Sequence, residues 1–148
     1  MIKIRKFKKG DEQKLSYLSR RCVVLINSKD MSEEQMINMC RHFTPSRFVE
    51  YAKRFRVYVA EEGGRLVGTA TLDENWIRAV FVNPKYHRKG IGTEIMDYLE
   101  NIAQKHGLKS ISLKASPFAV NFYKKRNYKK IKNIKTEVGS VTVMKKNL

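Results

Sequence analysis

The chain has no run of about 18 or more apolar residues, so no segment has the make-up of a membrane-spanning helix. The N-terminal stretch MIKIRKFKKG carries positive charge but no apolar segment behind it, and lacks the signature of a secretory signal. A soluble, cytoplasmic protein with no membrane partner is expected. Cysteine is scarce: Cys22 and Cys40 are the only two, each inside an apolar helical pattern and neither near histidines at metal-ligand spacing. They read as reduced core thiols, and no metal is expected. Internal repeats, low-complexity tracts and Pro/Gly/Ser linkers are missing as well. With 148 residues, 42% of them hydrophobic, the chain suits one domain, 1–148, large enough to bury a real core.

Acidic residues are also few. Asp and Glu number 14 against 31 Lys and Arg, a formal net charge of +17. Such an excess attracts nucleic acid, acidic proteins or phosphorylated cofactors. The lysines are scattered over every segment, however, and neither an aromatic-basic RNA signature nor a recognition-helix motif is evident. No nucleic-acid partner is expected, although a basic nucleic-acid-binding module stands as the alternative reading of the charge.

What is present is a succession of hydrophobic periods. Ile2, Ile4 and Phe7 suggest a first strand closed by Gly10, after which Asp11 caps a helix whose stripe is Leu15, Leu18, Cys22, Leu25 and Ile26. Ser32 and Gln35 are spaced as a capping box for a second helix, and Thr44-Pro45 opens a third with Phe48, Tyr51, Ala52 and Phe55 inward. From Arg56 the period becomes two, with a hairpin turn at Glu62-Gly63-Gly64-Arg65. Trp76 to Val82 is apolar on both sides, as in a central strand, and Asn83-Pro84 ends it. A helix from Ile91 stops at Gly107, Ser110 to Lys114 is a short strand, and Phe118 to Lys125 a short helix. Tyr128 to Ile134 and Val141 to Met144 pair around Gly139-Ser140. The order predicts an α/β fold around a single mixed central sheet flanked by helices.

The turn His87-Arg88-Lys89-Gly90-Ile91-Gly92 joins the central strand to the long helix. Its glycines let main-chain amides approach an anion, the helix start adds partial positive charge, and Arg88 and Lys89 bring two cations. A phosphate is the expected anion. The pattern has no third glycine of a dinucleotide fingerprint and no Gly-Lys-Ser/Thr ending of a P-loop, and two glycines alone would equally serve a tight turn.

The neighbourhood is more specific. The run WIRAVFVNPKYHRKGIGTEIMDYLENIAQKHG resembles the cofactor-binding core of the GNAT (GCN5-related) N-acetyltransferases. Downstream, SPFAVNFYKKRNYKK resembles that family's second signature, an Ala, then Phe-Tyr, lysines and an aromatic strand start. The likeness runs from about Val57 to Met144. It departs at His87, where Gln or Arg is common, at Ser116, where Asn is, and at Asn127-Tyr128, where Gly-Phe is; Asn tolerates positive φ better than most residues.

The resemblance implies the GNAT acyl-CoA N-acyltransferase fold and an enzyme that transfers the acetyl group of acetyl-CoA, its co-substrate, to a primary amine of a small molecule or peptide by direct attack on the thioester. It implies that the backbone of Val80, Phe81 and Val82 pairs with the pantetheine arm. The pyrophosphate would lie on His87, Arg88, Lys89, Gly90, Ile91, Gly92 and Thr93, with Asn121 as a further contact. Tyr123 would protonate the departing thiolate. No carboxylate lies within Trp76 to Val82, where some relatives carry a glutamate, so Asp73 and Glu74 are the candidates for base or amine anchor, with a water relay competing. Glu33, Glu34 and Glu50 read as surface charges, Trp76 as core, and His42 and His106 as helix-end residues. A CoA-binding sensor without turnover is a further alternative. A monomer or homodimer fits the fold.

Overall fold

The computed structural model describes all 148 residues, Met1–Leu148. Its elements run β1 (Lys3–Lys6), α1 (Glu12–Leu25), α2 (Glu33–Arg41), α3 (Pro45–Arg54), β2 (Arg56–Glu62), β3 (Arg65–Asp73), β4 (Trp76–Val82), α4 (Ile91–Lys105), β5 (Ser110–Ala115), α5 (Val120–Lys125), β6 (Lys129–Thr136) and β7 (Gly139–Asn147). Short 3-10 turns occupy Asn27–Asp30, Pro84–Tyr86 and Pro117–Ala119. The strands form one seven-stranded sheet in the order β1-β2-β3-β4-β5-β7-β6. Only β4 and β5 are parallel neighbours, which makes the sheet mixed, as the order of periods predicts. No helix is long and apolar enough to cross a membrane.

Local chemistry accounts for two of the five helix starts. Ser32 Oγ accepts from the Gln35 amide at 3.1 Å while the Ser32 amide donates to Gln35 Oε1 at 3.0 Å, so the capping box closes in both directions. Thr44 Oγ1 accepts from the Arg47 amide, and Pro45 takes the first helical position. Asp11 behaves differently. It stands at the head of α1 but caps no helix amide. Its carboxylate instead receives both terminal nitrogens of Arg5, at 2.9 and 3.0 Å, and the Lys8 amide at 2.9 Å. A forked, charge-assisted pair is stronger than a neutral cap bond, and it ties β1 to the helix.

The core lies on both faces of the sheet. On one, α4 packs Ile95, Leu99 and Ala103 against Ile77, Leu113 and Met144; on the other, α1 and α3 pack Leu15, Cys22 and Phe48 against Val57, Val59 and Phe81. Ile77 and Phe81 are four residues apart on β4 and would share a face in a regular strand. The register explains why they do not. Thr71 pairs with Arg78 and Thr69 with Phe81, so two steps along β3 oppose three along β4. The extra residue is a β-bulge at Ala79, whose φ is +52°. Beyond the bulge β4 diverges from β5, and the parallel ladder holds only Trp76 to Ser112 and Ile77 to Leu113.

Two further features set the position of α4. Gly68 on β3 has no room for a side chain, since a Cβ there would meet Ile95 Cδ1 at 2.8 Å and the Phe81 carbonyl oxygen at 3.2 Å. Glu100 of α4 is buried, and its carboxylate accepts from the Tyr128 hydroxyl at 2.8 Å and from Lys146 at 2.7 Å, with Arg126 at 3.2 Å. A buried carboxylate is tolerated only when so many donors surround it, and the cluster joins α4 to the α5–β6 turn and to β7. At the rim of the sheet, β6 is the last strand and exposes Lys129, Lys130, Lys132 and Lys135.

Gly68→Ala should lower unfolding free energy by about 1–3 kcal/mol in denaturant titrations, because the Phe81 backbone cannot step aside. Burial pushes the Asp11 carboxyl up, but the Arg5 fork and the Lys8 amide outweigh it and hold it below its ordinary value. Its stabilising contribution is therefore present at neutral pH and fades as pH falls below about 4. Stability–pH curves should show Asp11→Asn with a shallower acid limb than the wild type.

Candidate active site

The divergence of β4 from β5 opens a cleft of about 520 Å³ lined largely by apolar groups. One wall is β4 from Val80 to Val82 with the loop His87 to Thr93, the other is Ser116 to Tyr123, and Cys22 of α1 with Ile26 and Asn27 just past its end close a third side. The loop leaves its main chain open. Arg88 has φ +66° and Gly90 φ +80°, two left-handed positions at the head of α4. None of the amides from Arg88 to Thr93 finds an acceptor within the chain. A Cβ on Gly92 would lie 3.3 Å from Phe122 Cζ, so this glycine allows α5 to close on the loop. Free amides, a helix start and the Arg88 cation meeting an apolar channel fit a molecule with a phosphorylated end and an extended, weakly polar arm.

His87 is turned toward its own strand. Its Nε2 lies 2.9 Å from the Val82 carbonyl oxygen, which requires a hydrogen on that nitrogen, and its ring stacks on Phe118 with centroids 5.9 Å apart. Cys22 Sγ donates to the same carbonyl at 3.2 Å. Burial pushes the Cys22 thiol up to about 12, so it stays protonated.

Tyr123 projects from α5 into the cleft and is buried, its ring held edge-on by Phe122 and Tyr128 at 5.1 and 5.6 Å. Its hydroxyl makes no hydrogen bond within the chain, and burial raises its pKa well above the usual phenol range. The site thus contains an uncommitted O–H that keeps its proton at any physiological pH.

The structure brings Val80, Phe81, Val82, His87, Arg88, Gly90, Ile91, Gly92, Thr93 and Tyr123 to this cleft. Lys89 and Asn121 stand outside it, Lys89 with its ammonium 5.4 Å from the Tyr86 ring and Asn121 exposed on α5. Asp73 and Glu74 are elsewhere, at the opposite end of β4, where they border a hollow with Arg54, Arg56 and Lys109. Asp73 accepts from Arg78 Nε at 3.0 Å, and Glu74 sits in the β3–β4 turn with φ +53°. Trp76 is half-buried and belongs to neither core cluster, which differs from the core position expected of it. His42 contacts Glu137 at 3.3 Å, and His106 Nδ1 lies 3.0 Å from the Ile102 carbonyl. Glu33, Glu34 and Glu50 are exposed. No cluster of three or more His, Cys, Asp or Glu side chains is placed to hold a metal. Cys22, Ile26 and Asn27 carry no local motif; only the packing of α1 on β4 reveals them.

The mixed sheet with a parted central pair, and a turn of unpartnered amides at its opening, place the fold with the acetyltransferases of the GNAT class. Residues 27–148 match the family model of the acetyltransferase (GNAT) domain, and the chain belongs to that family. It is 26% identical over 136 residues to YafP, an uncharacterized N-acetyltransferase of Escherichia coli K12, covering 92% of this chain and 87% of that one. A GCN5-related N-acetyltransferase from Rhodopseudomonas palustris superposes with a TM-score of 0.90 at 24% identity, over 99% of this chain and 95% of that one. The PaiA N-acetyltransferase of Thermoplasma acidophilum, solved in complex with coenzyme A, has a TM-score of 0.85 at 23% identity, over 100% and 99%.

Because Cys22 is a protonated, recessed thiol, iodoacetamide at pH 7.5 should leave it unmodified in the native protein over minutes and alkylate it readily after unfolding. Peptide mass spectrometry reads the difference.

Proposed function

We propose that the protein transfers the acetyl group of acetyl-CoA to a primary amine by direct attack of the amine on the thioester. The observation that carries this reading is the row of unpartnered amides from Arg88 to Thr93 at one end of a cleft whose far wall presents the Tyr123 hydroxyl. Acetyl-CoA supplies an acyl group already activated as a thioester. The chain's part is to bind, align and handle protons.

Binding falls to the loop. Main-chain donors of residues 88–93 hold the diphosphate, Arg88 adds its charge, and Lys89 and Asn121 act from outside the cleft, at its mouth. His87 contributes by pinning the loop to Val82 rather than by a fixed charge. Alignment falls to β4. Its edge from Val80 to Val82, released from β5, offers main-chain groups to an extended amide-bearing arm much as a strand would pair. Main-chain donors there also polarise the thioester carbonyl.

The Tyr123 hydroxyl gives its proton to the departing sulfur, a role supported by its freedom from other bonds and its place in the cleft. Asp73 and Glu74 do not line that cleft. The proton of the attacking amine therefore leaves through water, and Asp73 acts by orienting Arg78. The relatives' name as N-acetyltransferases and the coenzyme A bound to PaiA support the same chemistry.

Coenzyme A at about 100 times its Kd should raise unfolding free energy by about 2.7 kcal/mol, visible as a higher Tm. Tyr123→Phe should lower kcat by about 100-fold with the KM for acetyl-CoA unchanged, since the hydroxyl acts only on the leaving group. Steady-state assays of thiol release would read this, and an unaltered kcat would remove Tyr123 from the reaction.

A further inference from the structure

The acceptor must meet the thioester where β4 and β5 part, just beyond the Val80 end of the cleft wall. The last ladder pair between β4 and β5 joins Ile77 to Leu113, just before the strands part, with Trp76 and Ser112 one step back. An arm laid along the freed edge from the loop toward this point delivers its far end beside Arg78, about 13 Å of extended backbone from Val82. The side chains there face away from α4: Ile77, Leu113 and Met144 belong to the α4 layer, so their neighbours Trp76, Arg78, Ser112, Lys114 and Lys145 alternate to the other face.

That face carries an excess of positive charge, Arg78, Lys114 and Lys145 against Asp73. The Arg78 guanidinium and the Lys114 ammonium each lie 5.9 Å from the centre of the Trp76 ring, one contributed by β4 and the other by β5. Asp73, which pairs with Trp76 across the hairpin and shares its face, is already matched to Arg78 through Nε. The bond to Nε fixes the guanidinium plane and leaves both terminal nitrogens without a partner in the chain, the fork that suits a planar carboxylate or a phosphate. Lys114 and Lys145 have no carboxylate partner. The tryptophan ring orients the two cations but does not neutralise them. A second positive charge on the acceptor would be repelled at this distance, whereas an oxyanion would complete the set.

We propose that the acceptor is an amine whose own molecule bears an oxyanion, a carboxylate or a phosphate, which docks on Arg78 and Lys114 while its carbon skeleton lies on Trp76. The proposal rests on the acetyltransferase reading and refines its substrate class. Asp73 thereby serves as a positioning residue for the Arg78 fork.

Trp76 is the sole tryptophan, so its fluorescence reports this spot directly. The test uses the full chain with coenzyme A, titrated with amines in matched sets: glutamate for the carboxylate, O-phosphoethanolamine and glucosamine 6-phosphate for the phosphate, ethanolamine and glucosamine as uncharged counterparts, and spermidine as the polycation. Thiol release from acetyl-CoA is followed in parallel. At least one oxyanionic amine should give a saturable fluorescence change and exceed its uncharged counterpart about tenfold in kcat/KM, and the better arm tells carboxylate from phosphate. Arg78→Gln should raise the KM for that amine about tenfold and erase the preference, with coenzyme A affinity unchanged by calorimetry. Lys114→Gln, which leaves the Asp73 pair intact, should show a smaller effect in the same direction. Preference for an uncharged amine or spermidine, or no saturable change with any oxyanionic amine, overturns the proposal. Failure of the wild type to bind coenzyme A at all would instead overturn the acetyltransferase reading beneath it.

Discussion

The extra residue at Ala79 is the constraint on which the rest of the molecule depends. A strand in the middle of a sheet ordinarily spends both edges on its neighbours, and β4 does so only at Trp76 and Ile77. The bulge bends the strand, flips the facing of everything after it and hands one edge to solvent. Phe81 is thereby committed to the α1 and α3 layer while Ile77 stays with α4. One inserted residue thus creates the opening, sets which core each half of β4 serves and frees the main-chain groups that the cleft presents.

The remaining architecture holds that opening at a fixed width. Gly68 lets α4 settle close to β3, and the carboxylate of Glu100 fastens α4 to Tyr128, Arg126 and Lys146. Tyr123 is braced by the ring of Tyr128, whose hydroxyl donates to Glu100. The loop at the head of α4 and the hydroxyl on α5 are therefore parts of one rigid arrangement. Cys22 and His87 meet at the Val82 carbonyl and fasten the opposite wall.

What could be read from the residues was local. The loop from His87 to Gly92, the Phe122-Tyr123 pair, the capping box at Ser32 and the left-handed Asn127 each announce themselves within a few positions; the structure closes the capping box, gives Asn127 its positive φ and sets residues of the loop and the aromatic pair around one cleft. The bulge was hidden because an apolar run from Ala79 to Val82 looks the same with or without a change of parity. Asp11 misled because a helix cap and an arginine partner ask for the same side chain, and Arg5 lies on another element. Placing Asp73 and Glu74 needed the path of a hairpin, which carries them to the far end of β4 from the anion loop. Cys22 and Trp76 owe their surroundings to distant segments, the first to β4 and the second to Lys114 on β5.

The lysines along β6 give part of the charge excess a structural meaning. An outermost strand offers an unsatisfied ladder to any other strand that drifts alongside, and a second copy of this chain would present the same row of ammonium groups. Lys129, Lys130, Lys132 and Lys135 make that encounter repulsive along the whole length of the rim. Electrostatic self-avoidance of this kind guards the open margin against fibril-like stacking while leaving the strand free to complete the hairpin with β7.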